Sequence, residues 1–134
     1  HSTKYLVMEK AATVLSYKDL IVYQKAKLLT IDIISYFSKY KLPRAKEFLF
    51  GQLFRAVSSI GANIAEGFGR NYSGSFRQFV GIARGSNFET DYWLEIILET
   101  KNFDSKIITS FIERNVEISK MLSGLMRKMK GGKS

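Results

Sequence analysis

The chain has 134 residues, 46% of them hydrophobic and 25% charged, and its 21 lysines and arginines outnumber 12 acidic residues for a net charge of +9. These values suit one soluble domain large enough to bury a core without cross-links. There is no cysteine and the one histidine is His1, which excludes disulfides, thiol nucleophiles, cysteine-held metals, and triads or metal sites built on histidine.

His1-Ser2-Thr3 reads as a tag remnant, with a natural start expected at Met8 and residues 1–15 as a mobile lead-in. Regular structure is expected from Ser16, which forms a capping pair with Asp19. From Asp19 to Tyr40, Val22, Ala26, Leu29, Ile33, Phe37 and Tyr40 recur at steps near three and four, the spacing of one helical face. Leu20, Leu28, Ile31 and Ile34 widen that face, so the helix is expected to meet neighbours on more than one side. Leu42-Pro43 ends it, because the residue before proline avoids helical geometry.

A second helix is predicted from Arg44 to Phe68 on the stripe Leu49, Leu53, Ala56, Val57, Ile60, Ile64 and Phe68, with Gly67 and Gly69 marking its end. After the turn 70–74, Ser75 and Gln78 cap a third helix to Lys101, with Phe76, Phe79, Val80, Ala83, Thr90, Leu94 and Ile97 inward. Asp104 is the expected N-cap of a fourth helix reaching Met129, with Ile108, Phe111, Ile112, Leu122, Leu125 and Met129 inward. Residues 131–134 form a frayed tail. Four amphipathic segments with short connections and no alternating strand pattern predict an all-α protein, an antiparallel up-down four-helix bundle forming a single domain over 16–130.

The charge is uneven. Residues 18–50 and 104–134 each carry seven basic and three acidic residues, whereas 72–103 carry three basic and four acidic. A polyanion is therefore the expected partner of the first and last helices. The candidate nucleic-acid contacts are Lys25, Lys27, Lys39, Lys41, Arg44, Lys46, Arg127, Lys128 and Lys130, with Lys18 and Lys133 beside them. Such side chains hold phosphates without reading sequence. Most aromatics sit at core spacing, Tyr17, Tyr23 and Tyr72 being the expected exceptions.

Other patterns carry less chemistry. Gly69 to Ser75 has the glycine spacing of a phosphate loop but lacks its lysine and follows no strand. Glu66, Glu89, Asp91, Glu95 and Glu99 lack the histidines that metal-binding bundles place beside such carboxylates. No catalytic residue, metal or cofactor is expected, nor a membrane span, since no uncharged run approaches about 18–20 apolar residues. A cytoplasmic location follows as the expectation.

On the second helix, Gln52, Arg55, Ser59, Asn63, Glu66 and Arg70 share one face, flanked by the small residues Gly51, Ser58, Gly61, Ala62 and Ala65. Interior glycines each cost a helix about 1 kcal/mol relative to alanine, so this face reads either as an interface or groove or as a solvated surface. On the third helix, Gly81 and Gly85 share one face and Arg77, Arg84 and Asp91 another, with Arg84 placed to pair with Glu66 or Asp91.

Three segments carry a resemblance. Asp19 to Ala26 (DLIVYQKA), Gln52 to Arg70 (QLFRAVSSIGANIAEGFGR) and Phe79 to Ser86 (FVGIARGS) are similar to the motifs of proteins encoded in intervening sequences of bacterial 23S ribosomal RNA genes. Accessory proteins of diversity-generating retroelements are close relatives of that family. The resemblance covers about residues 18–100. It implies a non-enzymatic up-down four-helix bundle with a basic surface, assembled as a homopentameric ring. In the retroelement branch it implies binding to a reverse transcriptase and its template RNA; in the intervening-sequence branch, RNA association. Gln52, Arg55, Asn63, Glu66, Gly67, Arg70, Arg84, Gly85 and Ser86 fall on motif positions and are the expected scaffold or interface residues.

Overall fold

A computed structural model describes residues 16–70 and 73–131, with the side chains of Ser73 and Lys130 outside the described set. The lead-in 1–15, Tyr72 and the tail 132–134 also lie outside the described residues. The described residues form four long helices and no strand: α1 (Ile21–Phe37), α2 (Arg44–Gly69), α3 (Ser73–Thr100) and α4 (Ser105–Gly131). α1 packs on α2 and α4, and α3 packs on the same two, so the four close around one apolar core with α1 and α3 diagonal to each other.

The Ser16–Asp19 capping pair forms: Ser16 Oγ accepts the Lys18 N–H at 3.1 Å and Asp19 Oδ2 accepts the Ser16 N–H at 3.3 Å. It closes a separate 3₁₀ turn, Tyr17–Asp19, rather than α1. Extended Leu20 follows, its side chain pulled into the core, and α1 starts one residue later. α1 stops at Phe37, short of the expected Tyr40. Ser38 Oγ donates back to the Ile34 carbonyl at 2.6 Å, and Tyr40 leaves the stripe at 43% exposure.

α3 starts at Ser73, so Ser75 lies inside the helix and not at its cap. The reason is packing. Phe76 must lie against the end of α2, where its ring meets Phe68 edge-on at 6.1 Å, and the early start places it there. Asp104 does cap α4, its Oδ1 accepting the Lys106 N–H at 2.9 Å. α4 runs two residues past Met129, taking in Gly131.

The predicted stripes fill the core: Val22, Ala26, Leu29, Ile33 and Phe37 from α1; Leu53, Ala56, Val57, Ile60 and Ile64 from α2; Phe76, Val80, Ala83, Leu94 and Ile97 from α3; Ile108, Phe111, Leu122 and Leu125 from α4. Phe68, Ile112 and Met129 pack at its edge. Leu28 and Ile31, expected to contact neighbouring helices, stay half exposed.

Gly67, read as a helix terminator, instead sits buried inside α2. A Cβ there would come within 2.6 Å of the Phe79 Cβ, so the glycine lets α3 approach rather than letting the chain turn. Midway along the bundle, buried Asn87 of α3 and Asn115 of α4 bond reciprocally. Asn87 Nδ2 donates to Asn115 Oδ1 at 2.8 Å and to its carbonyl at 3.0 Å, and Asn115 Nδ2 donates to the Asn87 carbonyl at 2.9 Å.

Candidate nucleic-acid interface

The basic residues divide between the two ends of the bundle. At one end the α1–α2 and α3–α4 turns meet on Phe103, whose ring lies 5.2 Å from Phe37, 5.0 Å from Tyr40 and 5.6 Å from Phe50. Edge-to-face stacking of this kind favours a fixed arrangement of rings, and it brings the two turns together as a unit. Lys39, Lys41, Arg44 and Lys46 project from the first turn and the start of α2; Lys101 and Lys106 stand on the second.

Lys39 Nζ lies 5.9 Å from the centre of the Tyr36 ring. Burial raises the Tyr36 phenol above its ordinary pKa, with the Tyr40 hydroxyl hydrogen bond adding to the effect, so the ring stays neutral beneath that cation. Acidic groups at this end are fewer: Glu47, Glu99 and Asp104, the last occupied in capping α4. The ion pairs among the described residues are Lys25–Glu117 at 3.4 Å, Glu66–Arg70 at 2.8 Å and Asp32–Arg114 at 2.8 Å. None engages the cations of this end.

Arg127 and Lys128, exposed on the last turns of α4, lie about 33 Å further along the helix at 1.5 Å per residue. They complement the negative end of the helix dipole. The structure therefore does not join them to Lys39, Lys41, Arg44 and Lys46 in one patch. The side chain of Lys130 lies outside the described residues. Lys25 is engaged by Glu117, and Lys27 stands midway along α1 at the mouth of a groove between α1 and α2. Tyr17 and Tyr23, expected outside the core, are half-buried and pack edge-on against each other at 4.8 Å.

The polar row of α2 faces outward and is bonded largely within itself. Arg55 Nη1 donates to Gln52 Oε1 at 3.4 Å, Ser59 Oγ to the Arg55 carbonyl at 2.7 Å, and Asn63 Nδ2 to the Ser59 carbonyl at 2.8 Å. Glu66 is taken by Arg70, whose guanidinium also lies 5.1 Å from the Phe79 ring. Arg84 thus finds its neighbour elsewhere, 5.4 Å from the ring of Phe88, with its Nε buried and unpartnered. Gly85 has open space where a side chain would stand. The Ser86 carbonyl accepts the Thr90 hydroxyl at 2.8 Å. Among the described residues no group of three or more His, Cys, Asp or Glu is placed to hold a metal, and no described helix is long and apolar enough to cross a membrane.

The sequence model of the 23S rRNA-intervening sequence proteins matches residues 18–124. The chain belongs to that family. Among solved structures, this family member is similar to a protein of unknown function from the S23 ribosomal protein family of Bacteroides thetaiotaomicron. The two are 25% identical with a TM-score of 0.66, over 79% of this chain and 98% of the other. No curated protein matches.

Lys101 and Lys106 were missed by sequence reasoning, because α3 as a whole carries no basic excess and both residues fall beside a helix break. Lys101 has a distinguishing feature that only the backbone shows. Its φ is +58°, the left-handed region where a Cβ costs about 1–2 kcal/mol. Glycine is the residue that ordinarily ends a helix in this way. Lys101→Gly in this family member is accordingly expected to raise stability by about 1 kcal/mol, measured by urea unfolding, while weakening any polyanion binding at that end.

Proposed function

We propose that this protein binds RNA without catalysing a reaction, through the basic end where the α1–α2 and α3–α4 turns meet, and that it does so in the cytoplasm. The observation that carries the reading is the Phe103 junction. It gathers Lys39, Lys41, Arg44, Lys46, Lys101 and Lys106 at one end, and none of the ion pairs among the described residues engages them. Membership of a family named for ribosomal RNA supports it. Binding through phosphates predicts dependence on salt, because each neutralised phosphate releases counterions.

The reading includes an antiparallel up-down course. Lys25 meets Glu117, whereas Asp32, seven residues later, meets Arg114, so numbers rise along α1 as they fall along α4. It also includes self-assembly, for which the resemblance implies a homopentameric ring of five times the 15.3 kDa chain mass. A second reading is a scaffold for a protein partner such as a retroelement reverse transcriptase. It draws on the outward polar row Gln52, Arg55, Asn63, Glu66 and Arg70, and co-purification with a polymerase would favour it.

The test is fluorescence anisotropy with a labelled single-stranded RNA from 50 to 200 mM salt. Replacing Lys39, Lys41, Arg44 and Lys46 together by Gln is expected to reduce the slope of log affinity against log salt by about three, at roughly 0.7 for each phosphate no longer neutralised. Lys25→Gln, at a residue already paired with Glu117, is expected to change it little. An absence of binding by the parent protein at 50 mM salt would remove the reading. A slope unchanged in the fourfold variant would move the site to another face.

A further inference from the structure

The basic end also holds a recess. It has a volume of about 440 Å³ and is lined by Leu98, Glu99, Lys101, Phe103 and Ser105, across the turn from α3 to α4. That volume falls among sites that take small ligands, about 300–1,000 Å³. Half-buried Leu98 and Phe103 give it apolar walls. Phe103 is fixed by the rings of Tyr36, Phe37, Tyr40 and Phe50, all edge-on to it at angles from 65° to 86°. A fixed apolar wall suits a planar base.

Two residues of the recess are poor local choices. Glu99 lies in the last turn of α3, which ends at Thr100, where the negative end of the helix dipole disfavours a carboxylate. Lys101 keeps a side chain at a φ of +58°, where glycine would relieve the backbone. Both are exposed, so the core does not require them. None of the ion pairs among the described residues takes either one. Residues that break local rules without aiding the fold mark positions where function overrides stability.

The polar groups of the recess differ in what they bond. A carboxylate accepts through two oxygens, an ammonium donates, and the Ser105 hydroxyl does both. Among the RNA bases, guanine alone offers a carboxylate two adjacent donors, N1–H and N2–H. Cytosine and adenine set an unprotonated ring nitrogen beside their amino group, and uracil flanks its one N–H with carbonyls. Each of those turns an acceptor toward the carboxylate. Guanine O6, next to N1, needs a donor, which the Ser105 hydroxyl can supply. Pairing in a duplex occupies these atoms, so only an unpaired guanine presents them.

We propose that this recess takes one unpaired guanine of a bound RNA, Glu99 accepting from N1–H and N2–H and Lys101 holding an adjacent phosphate. The inference rests on the RNA reading above and adds base selection to it. The cations of the α1–α2 turn hold phosphates of any sequence. Glu99 repels phosphate, and a base edge is what its charge suits.

Fluorescence anisotropy at low salt with two short labelled RNAs tests this, one oligouridine and the other the same with one central guanosine. The parent protein is expected to bind the guanosine probe about tenfold more tightly, the scale of one bidentate base contact. Glu99→Gln is expected to abolish that preference while tightening oligouridine binding, because a negative charge leaves the surface. If Glu99 is only a surface acid, both probes tighten alike and their ratio persists; that outcome overturns the proposal. Lys101→Gln is expected to weaken both probes, lower the salt slope by about 0.7 and keep the preference. An unchanged slope removes Lys101 from the site and overturns its part in the proposal.

With complementary strands annealed, the two probes are expected to bind equally, and a preference that survives pairing overturns the proposal. An equimolar amount of guanosine 5′-monophosphate is expected not to displace the guanosine probe, which the other cations also hold. Displacement would assign the recess to a free nucleotide and overturn the proposal. A parent protein that binds neither probe overturns the RNA reading and this inference together. Equal affinity for both probes overturns this inference alone. Far-UV circular dichroism checks that each variant folds, and the parent protein's ratio decides the matter without them.

Discussion

Asn115→Ala is expected to destabilise the protein by about 2–3 kcal/mol, because it removes two of the three hydrogen bonds that join buried Asn87 and Asn115. The pair is sealed in the core, Asn87 at 0% and Asn115 at 2% exposure. Alanine at 115 removes the Oδ1 acceptor of Asn87 Nδ2 at 2.8 Å and the donor to the Asn87 carbonyl at 2.9 Å, leaving Nδ2 only its bond to the Asn115 backbone carbonyl at 3.0 Å. Asn87 Oδ1 already lacks a partner, so the arrangement has little slack.

The double replacement separates burial from bonding. With leucine at both 87 and 115 no orphaned side-chain amide remains, and stability is expected to return to within about 1 kcal/mol of the parent protein. What should change is uniqueness of packing, since a reciprocal polar pair fixes how α3 and α4 are aligned along each other. Urea unfolding of Asn87→Leu, Asn115→Leu and the double variant, beside the parent protein, forms a closed cycle. A strictly additive double variant would show that the two amides do not act as a pair.

Gly67→Ala is the second large effect, expected at about 1–3 kcal/mol of destabilisation. In an open stretch of helix the same change is favourable by about 0.5–1 kcal/mol. Here the added methyl meets the Cβ of Phe79 at 2.6 Å and the Phe76 ring at 3.3 Å. The Phe79 Cβ is fixed to the backbone and cannot swing aside, so α2 and α3 must separate. Gly51→Ala is the control, with nothing within 4 Å of the new methyl, and is expected to stabilise. Thermal unfolding of both variants should give shifts of opposite sign. A Gly67→Ala protein as stable as the Gly51→Ala one would mean that the α2–α3 spacing yields freely.

The helices and their inward faces were legible because both are written in local spacing. Apolar residues at steps of three and four place Leu29, Ile33, Leu53, Ile60 and Leu94 on buried faces whatever the neighbours are. Asp104 and Ser16 were legible as caps because a cap bonds to residues two or three away. Ser75 was misread by the same rule: a serine before a helical pattern is a cap only if the helix starts there, and Phe76 packing on Phe68 moved the start. Gly67 was misread because a glycine that turns a chain and one that admits a neighbouring helix look alike in sequence.

For the basic surface, residue order supplied the number and sign of the charges but not their partition. Lys39, Lys41, Arg44 and Lys46 are close in sequence and stay close in space. Lys101 joins them only because Phe103 docks on Phe37 and Tyr40, and Arg127 is carried away by some twenty residues of straight helix. By itself, then, the sequence determined the number of helices, their buried stripes and the cationic excess, since each follows from composition or from residues within a few positions. Tertiary packing alone decided which cations share an end, why Gly67 must be glycine and which apolar side chains remain outside, because each depends on the distance between segments far apart in the chain.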